Sequence, residues 1–124
     1  MSEQYYSIPE LKYIYLEDSY VIAIEEKEAI IIFFMDFVLQ ENHPEYEPPK
    51  DDEIYCFKRG TIKFIRPSKV DWQVKLMNPL TDSSGEIDYG NIDKFVILGN
   101  SYNLSGEWGK IEIISKSVSE KVSR

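Results

Sequence analysis

One histidine, His43, and one cysteine, Cys56, are the only neutral-pH soft ligands or nucleophile partners in this sequence, and they stand apart. His43 lies in Asn42-His43-Pro44-Glu45-Tyr46-Glu47, so carboxylates flank it. Transition-metal sites usually recruit two or more His or Cys side chains. No second nitrogen ligand exists here, and no metal or other cofactor is expected. As a general base, His43 would need an orienting partner and a nucleophile in reach. Cys56 sits between Tyr55 and Phe57 with no basic helix start or adjacent histidine to activate it, so it reads as a small packed hydrophobe. Glu45, Glu47, Asp51, Asp52 and Glu53 supply oxygen ligands of the kind calcium takes, yet their spacing is not that of an EF-hand and Pro48-Pro49 divides them. Glu86 and Asp88 could in principle do acid/base work on sugars, but two acids two residues apart are common by chance. In Asp88-Tyr89-Gly90-Asn91 turn chemistry accounts for every residue. No phosphate loop, nucleophile elbow, HExxH or CxxC pattern occurs, and no catalytic residue is assigned.

Residues 41–53, ENHPEYEPPKDDE, are the segment best suited to binding. They hold six acids against Lys50, and Pro44, Pro48 and Pro49 restrict the backbone. A rigid loop loses less entropy on docking, and Tyr46 offers apolar contact area. Glu45, Tyr46, Glu47, Asp51 and Asp52 are therefore the expected contact residues for a basic protein partner. The competing account is a solvated connector with ordinary carboxylates.

The elements around this loop follow a period of two. ELKYIYL (10–16) and SYVIAIEE (19–26) are expected as strands, joined through Glu26-Lys27-Glu28 to AIIIFFMDFVLQ (29–40). That run is apolar on both faces up to Asp36, as in a central strand covered on both sides. IYCFKRGTIKFIR (54–66) resumes the pattern, and a bulge near Arg59-Gly60 would put Tyr55 and Phe57 on one face with Ile62 and Phe64. KVDWQVKLM (69–77) alternates most cleanly. Val70, Trp72, Val74 and Leu76 share one face, with Trp72 and Val74 expected inside. NPLTDSSGEIDYGN (78–91) is a turn-rich connection, followed by strands at 92–98, 101–105 and 110–114 in a meander. SKSVSEKVSR (115–124) is polar and reads as a fraying, flexible tail. About eight strands without a helix longer than two turns specify one all-β domain, an antiparallel sandwich or barrel.

The bulk numbers agree. The chain has 124 residues, 43% hydrophobic and 14% aromatic, which is too apolar for disorder despite a net charge of -8. A pI of about 4.7 disfavours nucleic acid, because phosphate contacts need concentrated Lys and Arg. It favours basic partners. Charge is uneven: residues 58–75 carry six of the 14 basic residues and one acid, Asp71. The plain explanation is a basic strand face partly neutralised by acidic neighbours. MSEQYYSIPE lacks the basic start and apolar core of a signal peptide, the longest apolar run is too short to span a membrane, and a lone cysteine fits a reducing compartment. The expected location is cytoplasmic, with no membrane association, and assembly of identical chains stays open.

The ordered blocks LEDSYV (16–21), FVLQENHPEYEPP (37–49), EIYCFKRGTIKF (53–64), SGEIDYGNIDKF (84–95) and SGEWG (105–109) resemble a family of small bacterial proteins of unknown function. The resemblance spans residues 16 to about 114 and implies a bacterial cytosolic origin. It carries no catalytic or binding residue over to this chain. Three function classes remain. The first is a non-enzymatic protein-interaction module, for which an acidic immunity-type inhibitor masking a basic toxin is one specific version. The second is a small-ligand-binding β-barrel lined by Tyr55, Phe57, Phe64, Trp72 and Trp108, with core packing as the plainer role of those rings. The third is an enzyme with dispersed carboxylates.

Overall fold

The computed structural model describes residues 3–51, 53–81, 83 and 85–122. The strands are β1 (Glu3–Gln4), β2 (Tyr20–Lys27), β3 (Ile30–Leu39), β4 (Cys56–Ile65), β5 (Lys69–Lys75), β6 (Leu80–Thr81), β7 (Ile87–Asp88), β8 (Lys94–Leu98), β9 (Ser101–Gly106), β10 (Gly109–Ile114) and β11 (Ser117–Val122). Among the described residues there is no α-helix, only three single 3₁₀ turns. One sheet has the order β1-β8-β9-β10-β5, the second β11-β4-β3-β2, and β6 pairs with β7 in a small ribbon. All pairings are antiparallel. The two larger sheets face each other as a sandwich rather than a closed barrel.

An aromatic cluster joins them. Phe33 meets Trp108 edge-on at 5.4 Å and Phe64 at 5.9 Å. Phe64 meets Tyr102 at 5.3 Å, and Phe95 packs on both Phe64 and Tyr102. Trp108 is fully buried although it sits in the β9–β10 turn, and its indole N–H donates to the Asn91 carbonyl at 3.0 Å. Rings in this geometry add a modest gain beyond the area they bury.

Four expectations change here. First, residues 10–16 form no strand. Tyr5, Ile8, Leu11 and Ile14 recur every third residue and are all buried, the period of a 3₁₀ turn, in which i and i+3 eclipse. Turns at Tyr5–Ser7 and Pro9–Leu11 result, and Ile14 alone bridges to Leu39. Second, β4 has no bulge. Its register against β3 runs unbroken from Ile30↔Ile65 to Leu39↔Cys56. Cys56, Gly60, Ile62 and Phe64 point inward, so Phe57 points out. Gly60 holds this register because a Cβ there would strike the Phe37 ring and the Lys121 carbonyl.

Third, register shifts lie in β2, between Val21 and Ala23, and in β5 instead. Ile111 pairs with Trp72 but Lys110 pairs with Val74, so Gln73 is the extra residue. A one-residue slip turns the following side chain to the other face. Val74 is therefore exposed and Trp72 only half-buried. Fourth, the segment read as a tail contributes β11, which pairs with β4 from Ser117↔Ile65 to Val122↔Gly60. The basic stretch behaves as read. Lys58–Glu47, Arg59–Asp36, Lys69–Glu112 and Lys75–Glu26 are ion pairs at 3.1–3.7 Å.

Candidate functional site

Alternation on β3 and β4 delivers two sets of side chains. Phe33, Met35 and Phe37 enter the core, while Phe34 and Asp36 face outward beside Phe57, Arg59 and Thr61. β2 extends this outer face with Tyr20 and Ile22, Tyr20 pairing with Asp36. Tyr20 and Tyr55 flank Phe57 with centroids at 6.2 and 6.1 Å, a row of three aromatic rings at the surface. Ile54, next to Tyr55 in the chain, is 85% exposed.

Acids border this row. Tyr20, Ile22 and Phe57 line a cleft of ≈ 290 Å³ with Asp36, Glu53, Glu86 and Asp88. A second, mostly apolar cleft of ≈ 500 Å³ shares Ile22 and continues past Phe34 and Thr61 to Arg59. Burial pushes the Asp36 carboxyl above its ordinary range; Arg59, at 3.7 Å, opposes the shift, while Glu86, Glu53 and Asp88 add to it. The cleft is thus an aromatic and aliphatic floor under a negative potential.

The Asp88-Tyr89-Gly90-Asn91 turn holds the far wall. Asp88 Oδ1 accepts from the Gly90 N–H at 2.7 Å, and Gly90 adopts φ 89. The Val21 N–H donates to the Gly90 carbonyl and the Tyr89 N–H to the Val21 carbonyl, each at 2.8 Å. Asn91 Nδ2 donates to the Ser19 carbonyl at 2.7 Å. The motif's polar atoms therefore fasten β7 to β2.

The loop residues divide. Glu47 is exposed and accepts from Lys58 Nζ at 3.1 Å; this bond holds the Lys58 ammonium above its usual range. Asp51 is exposed and Asp52 lies outside the described residues. Tyr46 packs partly against the core, lining a groove with Tyr15, Leu39 and Tyr55. The buried Cys56 Sγ accepts from the Glu47 N–H at 3.5 Å, which fits a packing role. Glu45 and His43 face a different cleft, of ≈ 540 Å³, shared with Glu10, Tyr13 and Glu120. His43 Nδ1 accepts from the Glu45 N–H at 3.0 Å, and burial lowers its pKa against the pull of Glu45. The five expected contact residues do not form one site. Glu53 is the loop's contribution to the acidic cleft. Tyr20 and Asp36 escaped the sequence reading as site residues, although outward parity on β3 would have found Asp36, and Phe57 entered it only as a ring that could line a barrel pocket.

Among the described residues no group of three or more His, Cys, Asp or Glu is arranged to hold a metal ion. Among the described residues no helix is long and apolar enough to cross a membrane. Compared with protein-family models, curated proteins and solved structures, the chain matches none.

Proposed function

We propose that this protein is a non-enzymatic interaction module that docks a basic protein partner on the outer face of β2, β3 and β4. An acidic inhibitor of the immunity type is one form such a module takes. The observation that carries the reading is that two adjoining clefts share Ile22, one mostly apolar and the other lined by Asp36, Glu53, Glu86 and Asp88. That combination suits a segment bearing aliphatic side chains and Lys or Arg, since aromatic faces and carboxylates both attract cations. The exposed acids of the 41–53 loop, Glu47 and Asp51, would add to the approach field. A reducing, cytoplasmic setting belongs to the same reading, because the single cysteine is buried and unpaired with another.

The test is an NMR titration of the whole chain with a short peptide of alternating leucine and arginine. Shifts should concentrate on residues 20–22, 34–36, 57–59 and 86–88 and weaken with added salt. Phe57→Ala should weaken binding about tenfold or more. Shifts spread evenly over every acidic surface would sink the proposal.

A further inference from the structure

The cleft shared by Glu10, Tyr13, His43, Glu45 and Glu120 lies away from the docking face and contains a side chain in an unusual position. β11 is the outer strand of its sheet, held on one flank only by β4. Val118, Glu120 and Val122 share the inward parity, and both valines pack against the core. Glu120 stands opposite the fully buried Ile62. A carboxyl thus occupies an apolar position on an edge strand. Among the described residues no hydrogen bond or ion pair meets it.

We propose that β11 is a pH-gated cover over the edge of β4: seated while the Glu120 carboxyl is neutral, loosened once it ionises. Burial, and secondarily the charge of Glu10, push the Glu120 pKa from 4.5 to about 7. An acid whose folded pKa is raised binds more protons folded than unfolded. Its stabilisation is complete below about 4.5 and is lost as the pH climbs through about 7. The other titratable groups lining the cleft are Glu10 and Tyr13 from the N-terminal segment, His43 and Glu45 from the loop, and Lys121 from β11 itself. Lys121, beside Glu120, has the outward parity. His43 acts with the opposite sign, since its lowered pKa costs stability as the pH falls. Loosening bares the β4 backbone from Gly60 to Ile65, a row able to accept an added strand.

The experiment is amide hydrogen exchange of the whole chain between about pH 5.5 and about pH 8, corrected for the intrinsic rate. Opening of the β11 amides should rise about tenfold or more over this interval, equivalent to one unit of a shift that half-burial tempers. Amides of β9 and β10 should not follow. In Glu120→Gln the rise should disappear, and in His43→Gln it should persist. Unchanged β11 opening in the native chain, or the same rise in Glu120→Gln, overturns the proposal. A ¹³C titration of the native carboxyls gives an independent reading. A Glu120 midpoint in the ordinary carboxylate range overturns the proposal even if the Gln variant does not fold.

Discussion

Phe33 and Phe34 are neighbours on β3 and differ in almost every physical respect. Phe33 is sealed between Phe64 and Trp108, whereas Phe34 looks out over an open cleft toward Arg59 and Thr61. The same holds one step on, where Phe37 fills the space above Gly60 while Asp36 meets Arg59 across the outer face. Interior positions on this sheet are fixed by volume, because a close-packed core tolerates neither voids nor added atoms. Outer positions are fixed by what they present. A strand apolar on both faces thus serves packing on one and, in the proposed function, recognition on the other.

Several substitutions break or sharpen that contrast. Removing the Trp108 side chain should cost about 3–5 kcal/mol in a urea melt, since a fully buried ring leaves a cavity. A loss below about 1 kcal/mol would mean the sheets are not joined through it. Gly60→Ala should cost about 1–3 kcal/mol by overpacking Phe37 and β11; a bulged β4 would accept the methyl group without loss. Trp72→Ala should cost about 1–2 kcal/mol. Trp72 is only half-buried, yet its indole N–H donates to Glu26 at 2.6 Å and its ring meets Trp108 at 5.9 Å. Phe34→Ala should cost less than about 1 kcal/mol while weakening the cationic peptide, so a larger stability loss would return that ring to the core. The smallest effect is on charge. Arg59→Gln should raise the Asp36 pKa further in a ¹³C titration, because the remaining influences all favour the neutral acid. Stability should then decline over a wider range as the pH rises.

The long strands were legible because β-branched and aromatic residues recur with period two: β3, β4 and β8 fall within the expected segments, and β2, β9 and β10 overrun theirs by one residue each. Two errors share a cause. The alternation in ELKYIYL and in KVDWQVKLM is real in sequence, but period two does not reveal a 3₁₀ turn whose buried residues come every third place. Nor does it reveal a bulge at Gln73 that inverts Val74. SVSEKV was passed over because its inward positions include a glutamate, and polarity outweighed the alternation around it. The loop's acids were found, but their partners were not. Glu53 joins Asp36, Glu86 and Asp88 only through tertiary pairing of segments far apart in the chain, which no local pattern encodes.

The N-terminal segment has a bearing on how the chain folds. Glu3 lies opposite Ile97 in one sheet, while Ile14 bridges to Leu39 in the other. The Tyr5 hydroxyl donates to the Glu17 carboxylate at 2.9 Å and accepts from the Leu16 N–H at 3.3 Å, closing the segment on itself. On a ribosome, β1 emerges before β8 and finds its neighbour only after β8 has been made. Until then Tyr5, Ile8, Leu11 and Ile14 have only part of the surface they will cover, and closing so long a loop is entropically slow. Folding of this domain should therefore finish with the segment from β1 to Ile14 docking last, and the nascent chain should be most prone to association until it does.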